Sequence, residues 1–210
     1  MKTLLTLVLL IPSLSWGVQL TSIWSGKAHA GFGEERYTFE ISLQAYSGPE
    51  EDDFLEIFLR SPDNVSFRSD KYQFTKGKRH HGYKGEEDFL CLKSTFEKAA
   101  EWVEIARKNS IKYVRKDIKM CNHQTQITWP GQLSIVSFRF QTEMLDMGLP
   151  TQWNRLYMTL FVGGAGEFIE LWINQFSIQE ISDVLNNLEN YFQDIRNENL
   201  QMEKDSELFQ

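Results

Sequence analysis

The chain has 210 residues, 41% hydrophobic and 13% aromatic, with a formal net charge of −7. That length and composition suffice for one sizeable core, and the acidic balance argues against nucleic acid as a partner. Beyond the first residues no apolar stretch approaches the ~20 needed to span a bilayer: the best, 156–173, is broken by Gly163, Gly164 and Gly166, so no transmembrane segment is expected after processing.

Residues 1–17 read as a cleavable signal peptide. Lys2 is followed by the apolar run Leu4, Leu5, Leu7, Val8, Leu9, Leu10 and Ile11. Pro12 ends the run, and the small residues Ser15 and Gly17 stand two apart before Val18. Loss of Lys2 with this leader takes the formal charge from −7 to −8. The expected location is secreted or periplasmic. Cys91 and Cys121 then sit in a compartment that permits a disulfide, which would contribute on the order of 3 kcal/mol in the chain-entropy account; the competing reading makes Cys91 a buried apolar residue of a strand.

The mature chain opens with alternation suited to half-buried strands: Leu20, Ser22 and Trp24, then, past Gly31 and Gly33, Tyr37, Phe39, Ile41 and Leu43, together a hairpin. After the loop of Ser47, Gly48, Pro49 and residues 50–53 comes a run apolar on both faces: Phe54, Leu55, Ile57, Phe58 and Leu59. It belongs in a sheet interior or under a helix. Residues 65–74 alternate again. Residues 75–85 make an exposed cationic loop with Lys76, Lys78, Arg79, His80, His81 and Lys84. Residues 89–92 read as a short strand, leading to a helix opened by a Ser94-to-Glu97 capping box, with Phe96, Ala99, Trp102, Val103 and Ala106 on one face. For 110–120 the spacing of Ile111, Val114 and Ile118 favours a helix over an edge strand.

Strands are predicted at 133–140, 156–162 and 168–173, the last two joined by a turn at 163–166. A second capping box, Ser177 to Glu180, with Phe176 before it packing on Ile181, opens a helix whose apolar face is Ile178, Ile181, Val184, Leu185, Leu188 and Phe192. Asp88 to Leu92, Glu167 to Leu171 and Asp53 to Ile57 resemble one another, which suggests duplicated units, about 18–120 and 121–196, within one domain at 18–196. Residues 197–210 form a polar acidic tail, either an extension of the last helix or disordered. The fold class is α+β, a mainly antiparallel sheet packed by two amphipathic helices, with two similar meander-plus-helix units.

No motif carries chemistry. His29, His80, His81 and His123 lack zinc-ligand spacing. There is no Gly-x-Ser-x-Gly elbow and no phosphate loop, so no catalytic, cofactor or metal residues are assigned. Cys121 near His123 is weak as a nucleophile and base, and acidic clusters such as Glu34-Glu35 and 50–53 read as solvated loops. Trp102 and Trp172 fit a core, whereas Trp24, Trp129 and Trp153 stand near turns where a ligand-facing role is open. Asn64-Val65-Ser66 is a glycosylation acceptor in a eukaryotic host.

Charge is uneven: 60–119 holds 15 basic and 9 acidic residues, and 140–210 holds 3 and 12. Internal pairing is the plain explanation, and a cationic face for a protein or other acidic partner is the functional one. The expected function is a non-enzymatic exported binding protein, acting through a sheet surface or the basic loop. Its alternatives are a secreted hydrolase without a motif and a subunit of an envelope-associated assembly. Amino-terminal sequencing of the exported protein is expected to begin at Val18; a first residue at Met1 or Lys2 would refute the leader.

Overall fold

The computed structural model describes residues 20–32, 35–48, 53–60, 70–76, 85–118, 133–146, 150–162 and 167–208. The leader at 1–17, Asn64, Lys78, Arg79, His80, His81, Lys84, Cys121, His123, Trp129 and the turn at 163–166 lie outside them. The described elements are β1 (Thr21–Phe32), β2 (Glu35–Tyr46), β3 (Asp53–Arg60), β4 (Asp70–Lys76), α1 (Gly85–Lys108), β5 (Tyr113–Ile118), β6 (Leu133–Asp146), β7 (Pro150–Val162), β8 (Glu167–Asn174), α2 (Gln175–Asn186) and α3 (Leu188–Glu207). Every described strand joins one eight-stranded sheet in the order β4-β3-β2-β1-β8-β7-β6-β5, with antiparallel pairing between each described pair. The architecture is α+β, as the residue pattern predicts, and each half of the sheet is a four-stranded meander.

Strand alternation sets the layers. Phe39, Ile41, Leu43, Leu55, Ile57, Leu59, Phe138, Phe140, Leu156, Met158, Leu160, Ile169, Leu171 and Ile173 are all buried. Burying each large apolar side chain contributes about 1.5–3 kcal/mol relative to leaving it exposed. The sheet curls around the helices until β4 meets β6; α1 packs on β4, β6 and β7, α2 on β1, β7 and β8, and α3 reaches β2.

Residues 89–92 are helical, which corrects the predicted strand and removes one of the three similar segments. Buried neighbours recur as Cys91 and Leu92, Thr95 and Phe96, then Ala99 and Ala100, a pattern that a helical stripe produces and one face of a strand cannot. Phe96 packs edge-on against Phe138, centroids 6.0 Å apart, and Trp102 against Phe140 at 5.7 Å. Ser94 is inside α1 and its Oγ donates to the Cys91 carbonyl at 3.0 Å, so no capping box forms there. A cap is worth about 1 kcal/mol, less than burial of Leu92 and Phe96 together.

The predicted helix at 110–120 is also corrected: Tyr113 to Ile118 pair with β6 as an edge strand. α1 ends in a Schellman turn, with the Ile111 amide on the Ala106 carbonyl at 3.0 Å and the Ser110 amide on Arg107 at 3.3 Å. Ser110 holds φ 49°, the left-handed region that usually selects glycine. From β7, Gln152 Nε2 donates to the carbonyls of Ala106 at 2.9 Å and Ile111 at 3.2 Å.

The second capping box is displaced as well. Asn174 caps α2, its Oδ1 accepting from the amides of Phe176 at 2.9 Å and Ser177 at 3.1 Å. Phe176 is 70% exposed and does not staple to Ile181. Glu180 accepts instead from Trp24 Nε1 at 3.0 Å. Gly26 makes room for that indole, since a Cβ there would lie 2.5 Å from it. The predicted apolar face of this helix is buried throughout, but the helix breaks at Asn187 and restarts as α3, which continues to Glu207.

A polar clamp fixes α3 to the β2–β3 end. Arg196 Nη2 lies 3.0 Å from Asp53 Oδ2 and its Nε donates to Ser47 Oγ at 2.7 Å; Ser47 in turn donates to Asp53. Asp53 is 4% exposed, so this carboxylate of the predicted acidic loop is structural rather than solvated.

Replacing Ser110 with glycine removes the left-handed strain and is expected to stabilise the fold by about 0.5–1 kcal/mol, read as a higher urea midpoint at unchanged slope. A lower midpoint would refute the strain assignment.

Candidate cleft at the end of strand β8

β8 is short. It pairs with β7 only from Arg155 to Val162, whereas β6 pairs with β7 as far as Pro150. On its other side β8 registers with β1 at two residue pairs, His29 with Trp172 and Ala30 with Leu171. At Asn174 the chain leaves the sheet for α2. The missing length of strand leaves a cleft of about 330 Å³, bounded by β7 from Thr151 to Arg155, by His29, by Trp172 and Asn174, and by Gln175 and Phe176 of α2. Its size is near the lower end of small-molecule sites.

On β7, Trp153, Arg155 and Tyr157 alternate with the buried Asn154, Leu156 and Met158 and therefore face away from the helices. The Arg155 guanidinium carbon lies 4.5 Å from the Trp153 ring centroid and 4.5 Å from that of Trp172, so both indoles hold it by cation–π contact. Nη1 donates to the Tyr157 hydroxyl at 3.3 Å. The Arg155 Nε and, in the cleft wall, Asn154 Oδ1 are buried without a partner, while Asn154 Nδ2 donates to Gln175 Oε1 at 2.7 Å. Trp172 also packs against His29, centroids 4.4 Å apart, and His29 Nδ1 is hydrogen-bonded to Thr38 Oγ1 at 3.2 Å.

A second arginine on the same sheet face provides an internal comparison. Arg139 lies 4.7 Å from the Tyr157 ring, and its Nη2 is 2.7 Å from the Glu170 carboxylate. Arg155 has no such counter-ion: its register neighbours are Gln141 and Asn174, and among the described residues no ion pair includes it. The charges closest to His29 are cationic. Burial first, then Lys27 and Arg155, hold the imidazole below its ordinary value of 6.5.

The structure gathers residues that the sequence left apart. Trp153 reaches the cleft, as its open ligand-facing role allowed, and Trp24 bonds α2. Trp172, expected in the core, stands on the outer face beside Arg155. Arg155 and Asn174 carry no motif, and Phe176 reads only as the residue packing on Ile181 before a capping box, although the spacing Trp153-x-Arg155-x-Tyr157 marks one strand face. Of the basic loop, Lys76 ends β4 and the rest lies outside the described residues. Cys91 is buried in α1. No cluster of three or more metal-ligating residues occurs among the described residues, and none of the described helices is long and apolar enough to cross a membrane.

Because the folded pKa of His29 is lowered, the unfolded chain binds more protons at this residue. Its contribution to stability is full above about pH 6.5 and declines as pH falls through the lowered value. Urea unfolding followed from about pH 7.5 down to about pH 5 should show this loss, and His29→Gln should flatten it. An unchanged slope in the variant would show that His29 titrates as a free imidazole. The chain matches no family model, no curated protein and no solved structure, so the chemistry of the cleft has to carry the functional reading.

Proposed function

We propose that this chain is an exported, non-enzymatic binding protein whose ligand occupies the cleft at the end of β8. The observation that carries this reading is the Arg155 guanidinium, which has no counter-ion among the described residues and contacts both Trp153 and Trp172 in the wall of a cleft that Phe176 also lines. Aromatic walls with a few convergent polar groups suit recognition of a ligand. The ten lining residues include one imidazole and one hydroxyl, that of Thr151, with no carboxylate, serine or cysteine to complete a catalytic set, a poor inventory for hydrolysis. The leader at 1–17 supports secretion or a periplasmic location, and in that setting we propose a Cys91–Cys121 bridge joining α1 to the segment before β6.

Two measurements on protein purified from the export fraction test this. Its intact mass should lack residues 1–17 and be lighter by two hydrogen atoms than the dithiol form. Ligand-observed NMR against a metabolite library should yield binders of the processed chain whose signals are lost with Trp153→Ala. Retention of the leader would remove the exported location. Failure of every library compound to perturb the cleft, or hydrolytic turnover by the purified chain, would overturn the binding role.

A further inference from the structure

We infer that the ligand of this cleft is an aromatic carboxylate, a small organic anion whose flat body lies against Trp153, Trp172 and Phe176 while its carboxylate is received by Arg155. The inference rests on the cleft being a ligand site and adds the chemical class of what fills it.

The two stacked arginines set the electrostatic argument. Both lie on the same sheet face and both touch an aromatic ring, yet Glu170 neutralises Arg139 at 2.7 Å while Arg155 is flanked by neutral amides. A partly buried cation without a counter-ion is costly, and the nearest remedy for that cost is an anion from outside. Both indoles contact the guanidinium at 4.5 Å through their π faces, which accept no N–H hydrogen bond in the guanidinium plane and so leave its in-plane donors unmatched by them. Tyr157 takes one of those donors. The indoles also hold the group still, so little side-chain freedom remains to be lost when a planar carboxylate docks.

The surroundings select against other classes. Lys27 on β1 adds positive potential, His29 is held toward its neutral form, and the remaining polar lining groups, Thr151, Gln152, Asn154, Asn174 and Gln175, are neutral. A cationic ligand would meet repulsion. An inorganic anion would leave Trp153 and the 70% exposed Phe176 uncovered, whereas a flat apolar body removes both from water. About 330 Å³ accommodates a molecule of one or two rings.

Indole-3-acetate, indole-3-acetamide and inorganic phosphate are the probes, titrated against the processed chain with histidine and tryptophan side-chain NMR signals as the readout. The acid should bind about tenfold or more tightly than the amide, as a charge-assisted bidentate contact implies, shift the His29 and Trp172 signals, and resist competition by phosphate. Arg155→Met keeps a flexible apolar chain between the indoles and should bring acid and amide to equal affinity. Lys27→Gln, at an exposed site remote from the packing, should weaken the acid alone, by about twofold. Equal binding of acid and amide to the wild-type chain, phosphate competing as well as the acid, or an acid preference that survives Arg155→Met would each overturn the assignment. If neither indole compound binds but library compounds still reach the cleft in a Trp153-dependent way, the ligand class is wrong and the binding role stands. If nothing reaches the cleft, both fall.

Discussion

The two four-stranded meanders meet along β1 and β8, where two registered residue pairs fall among the described residues, and the rest of the structure depends on holding that narrow seam. Backbone hydrogen bonds over so short a length are a weak join, since each is worth about 1 kcal/mol net. Burial supplies the rest. α2 lies across the seam on β1, β7 and β8, and its Ile178, Ile181 and Leu185 are almost fully buried in a core continuous from Phe39 on one side to Phe140 on the other. The same economy of strand that narrows the seam also makes the cleft. Where β8 ends, the sheet has a gap and α2 begins, so the cleft opens where two meanders, a helix start and several aromatic residues converge.

The polar groups divide by environment. Arg196, Asp53 and Ser47 satisfy one another where α3 closes on the sheet; a buried ion pair with complete hydrogen bonding does little net harm and fixes orientation. Arg139 has its charge met by Glu170, although its Nε too is buried without a hydrogen-bond partner. Arg155 lacks the counter-ion that Arg139 and Arg196 have among the described residues, and Asn154 Oδ1 in the same cleft wall is buried without a partner. These two unmatched groups beside one cleft are the physical basis of the proposed ligand site.

Strand alternation in β1 and β2, the doubly apolar run of β3, the strand segments of β6 to β8, the apolar stripe of α2 into α3 and the α+β class were legible in the sequence because they depend on local pattern alone. The errors lie where two local signals compete. Residues 89–92 have the composition of a buried strand, yet their apolar positions also continue the stripe of α1, and burying Leu92 and Phe96 decides the outcome. Ser110 hides a helix end that glycine would have announced. Asn174 ends a strand and caps a helix at once, so the capping box three residues later looked the better start. The clamp on Asp53 was invisible because its partners, Ser47 and Arg196, are 149 positions apart.

By itself the sequence determined which faces are apolar, how long the periodic segments run and the sign of the charge in each region, since these follow from neighbours within a turn of helix or a few residues of strand. Only the tertiary structure decided that β1 lies beside β8, that the sheet curls until β4 meets β6, and that Trp172 faces outward against Arg155. These outcomes are set by competition among surfaces far apart in the chain. A residue's counter-ion, unlike its periodicity, cannot be read until the whole sheet has closed around its core.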